Sequence, residues 1–277
     1  MSAQSGPSSA ASAPALPDPP DVGSAEQARA GHPGAPRIRL HAGVAWLRLD
    51  RPAEHNRLDP ADLDAMTAWF ATLAADPAVR ALVITGTGDR TFSSGYTLDA
   101  ILSDLDDRLE RMLDALEALP FVTIAALNGS VYGGATDLAL ACDLRLGVTG
   151  SRLFMPAARF GLHYYAGGLR RYVTRLGLSA AKKLFLTAMT IECDEMLRIG
   201  FLNEAVAPER LAERVDEHLA AVLQTEPVAV REMKKHLHQI ADGHYDEPAL
   251  RAATRASLDS PQLRERLTRQ LAGRQKR

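Results

Sequence analysis

The sequence is short of several features that would have pointed to other functions. Its 277 residues include only two cysteines, Cys142 and Cys193, too few for a disulfide framework and at no spacing used to hold a metal. That usage suits a reducing, cytoplasmic compartment, and no metal site is expected. Cys142 reads as a small buried apolar group rather than a nucleophile. Long apolar runs are missing too: none approaches the roughly 18 residues that cross a bilayer, so no membrane partner is expected. Nor is there an excess of positive charge, since 32 Lys and Arg stand against 34 Asp and Glu for a net charge of −2. Nucleic acid is therefore not an expected partner. Thr85-Gly86-Thr87-Gly88-Asp89-Arg90 lacks the third glycine of a dinucleotide loop. Neither Gly-x-Ser-x-Gly nor a phosphate-binding Gly-Lys-Ser/Thr occurs.

Residues 1–36 are rich in Ala, Ser, Pro and Gly and hold almost no large apolar side chains. Such a segment cannot offset its own ordering entropy, and a flexible tail is expected. It is poor in arginine for a transit peptide and has no apolar stretch for a secretory signal. From Arg37 the character changes. With 46% hydrophobic and 24% charged residues overall, the remainder can bury a substantial core as one domain with an appendage. Ile38 to Leu49 alternates around His41-Ala42-Gly43, which predicts a hairpin. Asp59-Pro60-Ala61-Asp62 supplies the cap, N1 proline and early acid of a helix running to about Ala75 and burying Leu63, Met66, Phe70 and Leu73. A second amphipathic helix is predicted from Asp104 to Leu119. The core is assigned to 37–206 and a charged, helical C-terminal region to 207–277, with helices over Leu211 to Leu223 and Val228 to Ile240. His236 and His238 diverge on such a helix, and both are expected to be solvated.

The most telling stretch is Asn128-Gly129-Ser130-Val131-Tyr132-Gly133-Gly134-Ala135-Thr136-Asp137-Leu138, which follows the apolar run Phe121 to Leu127. It reads as strand, tight turn and buried helix start. Helix N-termini leave amide donors without internal partners and carry partial positive charge, so they favour an oxygen gaining negative charge. Glycine lets a substrate come close to that backbone. A second such unit, Thr91-Phe92-Ser93-Ser94-Gly95-Tyr96-Thr97-Leu98, follows the strand-like Ala81 to Gly86. Two strand-to-turn units of this kind suit loops gathered on one sheet edge, with an active site assembled from both.

With these two units the sequence resembles the crotonase superfamily, the enoyl-CoA hydratase and isomerase family. Further matches are Leu49-Asp50-Arg51-Pro52 with Asn56, and Thr187 to Val206, within which Glu195 to Asn203 is similar to the family's "AL-IGLVN" segment. The resemblance implies an α/β fold, a spiral of ββα units with a C-terminal helical region that drives trimers, often paired as hexamers. It also implies an acyl-CoA thioester substrate, with coenzyme A present as part of that substrate and no separate cofactor. The thioester carbonyl would be held by the amides of Tyr96 and Gly134, with Ser94, Gly95, Gly133 and Tyr132 around it.

At the positions of the hydratases' two glutamates this chain has Asp137 and Ala157. Asp137 is shorter by a methylene and Ala157 carries no proton, which places ordinary two-carboxylate hydration in question. Asp137 is the expected principal acid or base, and it also sits where an Asp can cap a helix. The loop Arg159 to Gly168 brings His163, a candidate proton carrier near neutral pH, and Tyr165, which would shape the substrate site. Lysines that relatives use for CoA phosphates are replaced by Ala53 and Asp99, leaving Arg51, Arg57, Arg274 or Lys276 as substitutes. The expectation is an enoyl-CoA hydratase/isomerase-type enzyme. Its alternatives are an acyl-CoA decarboxylase, a thioester hydrolase, or a catalytically silent acyl-CoA-binding subunit.

Overall fold

The computed structural model describes residues 28–29, 34–103 and 106–274. Most of the expected tail, Lys276 and the side chain of Arg274 lie outside the described residues. Strand β1 (Ala28–Arg29) pairs antiparallel with β2 (Arg37–His41), and β2 with β3 (Val44–Leu49). The turn between β2 and β3 is Ala42-Gly43, with φ of 48° and 78°, a left-handed pair that matches the twist of the strands it joins. From β3 onward the sheet is parallel. It passes through β4 (Ala81–Gly86), β6 (Val122–Leu127), β8 (Leu144–Val148) and β11 (Glu204–Val206). Every residue of β4 is buried, as expected of a parallel strand covered on both faces.

Three short strands, β5 (Thr91–Ser93), β7 (Ser130–Tyr132) and β9 (Arg152–Phe154), form a second parallel layer, closed by antiparallel β10 (Ile191–Glu192). Each follows a strand of the first sheet after a tight turn and leaves through helix. After β5 come α2 (Leu98–Ser103) and α3 (Arg108–Glu117); after β7, α4 (Gly134–Ala141); after β9, α5 (Ala166–Leu176) and α6 (Leu178–Thr187). This is the spiral of ββα units. The turns are stitched together by one amide side chain. Asn128 Oδ1 accepts from the Gly86 amide at 2.9 Å, and its Nδ2 donates to the Gly88 carbonyl at 2.7 Å. The next residue, Gly129, passes so close to Arg90 that a Cβ would lie 2.4 Å from its carbonyl carbon. Only glycine fits there.

Helix α1 (Pro60–Ala75) starts in a capping box between Asp59 and Asp62 and buries Leu63, Met66, Phe70 and Leu73. These pack with Leu113 and Leu116 of α3 and Leu138 of α4 in the larger core. On the opposite face of the sheet, Val83, Ile124 and Leu146 meet Val215 and Leu219 of α8 (Leu211–Gln224). Also helical are α7 (Cys193–Arg198), α9 (Pro227–Ala241), α10 (Glu247–Leu258) and α11 (Pro261–Arg274). The helix expected over Asp104 to Leu119 starts only at Arg108, four residues late, and α4 starts at Gly134 with Gly133 as its cap. His236 is buried rather than solvated, and His238 is half-buried, 3.8 Å from Asp143. Lys234 draws α9 onto the sheet edge by donating to the Phe121 carbonyl at 2.9 Å and to Asp143 at 2.6 Å. Among the described residues no helix is long and apolar enough to cross a membrane.

Candidate active site

The segment after β5 is clamped from one side. The Leu58 amide donates to the Gly95 carbonyl at 2.8 Å, and the Thr97 amide donates to the Leu58 carbonyl at 3.0 Å. Successive groups of an extended chain point in opposite directions, so the intervening Tyr96 N–H faces away from Leu58, towards α4. Gly95 makes the approach possible. Its φ is +87°, and a Cβ there would lie 2.7 Å from the Gly134 nitrogen and 2.8 Å from the Tyr132 carbonyl oxygen.

The second loop is fixed as firmly. Gly133, with φ of 54°, caps α4, and its amide donates to the Phe154 carbonyl at 2.9 Å. The Thr136 hydroxyl donates back to the Gly133 carbonyl at 2.6 Å and also meets the Tyr172 hydroxyl. Gly134 then presents the first amide of α4, a donor with no acceptor inside the helix. A methyl on Gly134 would sit 3.6 Å from the Tyr96 nitrogen. The two amides therefore border one small space.

That space opens into a cavity of about 330 Å³ reached by Ser94, Tyr96, Gly133, Gly134, His163 and Tyr165. Its walls include the apolar Leu98, Leu109, Met155 and Leu162, and the buried Ala157 stands where a second carboxylate was in question. His163 is exposed at its rim. Gly95 and Tyr132 back the cavity without lining it. Arg51 is elsewhere: its guanidinium pairs with Asp62 and, at 3.4 Å, with Asp59, at the start of α1. Arg57 likewise pairs with Glu54 and Asp59.

Asp137 is fully buried, and its carboxylate does not line the cavity. Arg171 of α5, equally buried, donates from Nε to Asp137 Oδ1 at 2.8 Å and from Nη2 to Oδ2 at 3.2 Å. The Tyr165 hydroxyl donates to the same Oδ2. Thus Tyr165 stands between Asp137 and the cavity. Burial opposes the charge of Arg171, but the Asp137 carboxylate outweighs it and raises the guanidinium pKa above its ordinary value. Burial, reinforced by the charge of Asp137, pushes the Tyr165 phenol well above the usual tyrosine range, and it does the same to Tyr164 stacked against it at 4.4 Å. Both phenols stay protonated at neutral pH. Gly168 leaves the room for this arrangement, since a Cβ there would lie 2.3 Å from the Tyr164 ring and 2.9 Å from Asp137 Oδ2.

Behind Asp137 the charges continue. Arg171 also reaches Asp114 at 2.8 Å and Glu117 at 3.1 Å, and Glu117 takes Arg170 and Arg175 as well. Burial alone would raise the Glu117 carboxyl, but the Arg175 hydrogen bond and the charges of Arg171 and Arg175 hold it down at about 2. Sequence reasoning missed Arg171 and a cavity carboxylate, Glu110. The available signal was a charge in each case set among the apolar positions of its helix: Arg171 between Leu169 and Tyr172, Glu110 between Leu109 and Leu113.

This architecture has known counterparts. A family profile described as enoyl-CoA hydratase/isomerase matches residues 39–269. Crotonyl-CoA hydratase of Syntrophomonas wolfei is 34% identical over 196 residues, covering 68% of this chain and 76% of its own. Short-chain-enoyl-CoA hydratase of Clostridium acetobutylicum is 30% identical over 203 residues, covering 71% and 78%. A solved structure of an enoyl-CoA hydratase/isomerase family member superposes with a TM-score of 0.81 at 25% identity, covering 87% of this chain and 95% of that one. Two glycine turns set side by side at the ends of parallel strands, in a spiral that relatives share along most of their length, place the chain in the enoyl-CoA hydratase/isomerase family, the crotonase superfamily.

Proposed function

We propose that the chain is an acyl-CoA thioester enzyme that polarises the substrate carbonyl between the amides of Tyr96 and Gly134 and stabilises the resulting enolate. The observation that carries this reading is the 3.6 Å between the Tyr96 nitrogen and a methyl position on Gly134, at the head of a largely apolar cavity. A thioester delocalises weakly, so its α-carbon is comparatively acidic, and fixed donors at the developing oxyanion lower the barrier. Relatives named crotonyl-CoA and short-chain-enoyl-CoA hydratase support a short acyl group. Coenzyme A enters as part of the substrate, with no separate cofactor.

In this reading Asp137 acts through Tyr165. Its carboxylate, fixed by Arg171, holds the phenol against the acyl site. Ser94, Gly133 and His163 border the bound thioester, and Gly95 and Tyr132 set the shape of the loop behind it. Ala157 favours a second reading, decarboxylation or thioester hydrolysis on the same enolate machinery. A silent acyl-CoA-binding subunit is the third. The exposed apolar residues Val228, Met233, Leu237 and Ile240 on α9 support assembly as a homotrimer or a pair of trimers, and the unbridged cysteines accord with a cytoplasmic setting.

The test is crotonyl-CoA turnover, followed as loss of the conjugated thioester's absorbance, beside butyryl-CoA binding by calorimetry. Binding with hydration supports the leading reading. Binding with release of free CoA thiol moves the assignment to hydrolysis. Absence of binding overturns the proposal.

A further inference from the structure

One carboxylate in the cavity has no part in the scheme above. Glu110 lies in the first turn of α3 and lines the cavity with Tyr96, Gly134 and Tyr165. Its neighbour Leu109 comes within 3.2 Å of the methyl position on Gly134, so this turn of α3 abuts the amide pair. Its Oε1 accepts from the Gly167 amide at 3.3 Å, in the first turn of α5. Among the described residues no basic side chain pairs with it. Asp106, the other acid reaching the cavity, is held by Arg108. Asp137 has both oxygens occupied by Arg171 and Tyr165.

Glu110 also borders a second, open cleft of about 650 Å³, walled by Asp114, Glu117, Arg170, His238 and Asp242. One side chain thus separates the acyl cavity from a polar cleft open to solvent. A group that takes a proton from carbon must return it to water, and this position meets both requirements.

We propose that Glu110 is a catalytic acid–base of this chain, carrying protons between the acyl α-carbon and water in the adjoining cleft. The inference rests on the enolate reading above. The Glu110 carboxylate takes the α-proton, and the C–H electron pair moves into the enolate held by the Tyr96 and Gly134 amides. The protonated Glu110 exchanges with cleft water, and reversal delivers a solvent proton to the same carbon. No other reactant is consumed.

The test uses the full chain with butyryl-CoA in D2O. Mass spectrometry follows α-deuterium incorporation, and calorimetry follows binding. Glu110→Gln is the informative variant, because its amide oxygen still accepts from Gly167 while the proton-carrying group is gone. The expected result is binding within about threefold of wild type and exchange slower by about a hundredfold or more, the usual range for a lost acid–base group. Glu110→Asp should recover part of the exchange, which a purely structural role would not predict. Wild-type exchange with an undiminished rate in Glu110→Gln overturns this assignment alone. A wild-type chain that binds butyryl-CoA without exchanging its α-proton also overturns it. Failure of the wild type to bind overturns the functional reading itself.

Discussion

Replacing Arg171 by methionine should destabilise the protein and should do so through Asp137. The guanidinium gives Asp137 two hydrogen bonds, and both side chains are fully buried. Its other contacts contribute less. Asp114 is about half exposed and is re-solvated on loss of its partner, and Glu117 keeps Arg170 and Arg175. Removing one partner of a buried pair typically costs about 3–5 kcal/mol. We therefore expect a loss of about 4 kcal/mol in urea unfolding followed by circular dichroism at pH 7. The double variant Arg171→Met/Asp137→Leu removes both charges and should regain all but about 1 kcal/mol. Its acyl-CoA turnover should stay low, because the Tyr165 hydroxyl has lost its acceptor. Stability and activity thus separate. A single variant that loses less than about 1 kcal/mol, or a double variant as unstable as Arg171→Met, would refute the reasoning.

Gly134→Ala should fold, since the nearest obstacle is the mobile tip of Leu109 at 3.2 Å. The methyl would occupy the space beside the Tyr96 amide and cut kcat by about a hundredfold or more, and unchanged turnover would remove the amide pair from the mechanism. Acid should expose the Glu117 cluster. A carboxyl held at about 2 when folded, against an ordinary 4.5, contributes its full stability above about pH 4.5 and loses it as the pH falls towards 2. The stability gap between wild type and Glu117→Gln should accordingly reach about 3 kcal/mol at pH 6 and shrink by pH 3, whereas a gap independent of pH would show that the arginines do not act on this group.

What could be read from sequence was local. The hairpin at Ala42-Gly43, the capping box at Asp59 and the two glycine turns are each specified within a few residues, by positive φ, by side-chain caps and by apolar spacing. The cavity's Tyr96 and Gly134 were legible because they sit in those turns, and His163 and Tyr165 because the resemblance placed the loop Arg159 to Gly168 beside them. The partners of Asp137 were not. Arg171 is 34 residues away and Glu110 is 57 from the amide it meets, so only the folded spiral reveals that one acid is fully engaged while another faces the cavity. The same limit hid His236, whose cover comes from tertiary packing that its own helix pattern does not announce.

The side chain of Asn128 grips Gly86 and Gly88 while its own residue opens the next turn. The loops bearing Tyr96 and Gly134 are therefore mounted on a common bracket of main chain, and their spacing owes nothing to the residues that decorate the chamber. Under the proposed function, changes at positions such as 157 and 165 would alter the chemistry while leaving that mounting in place.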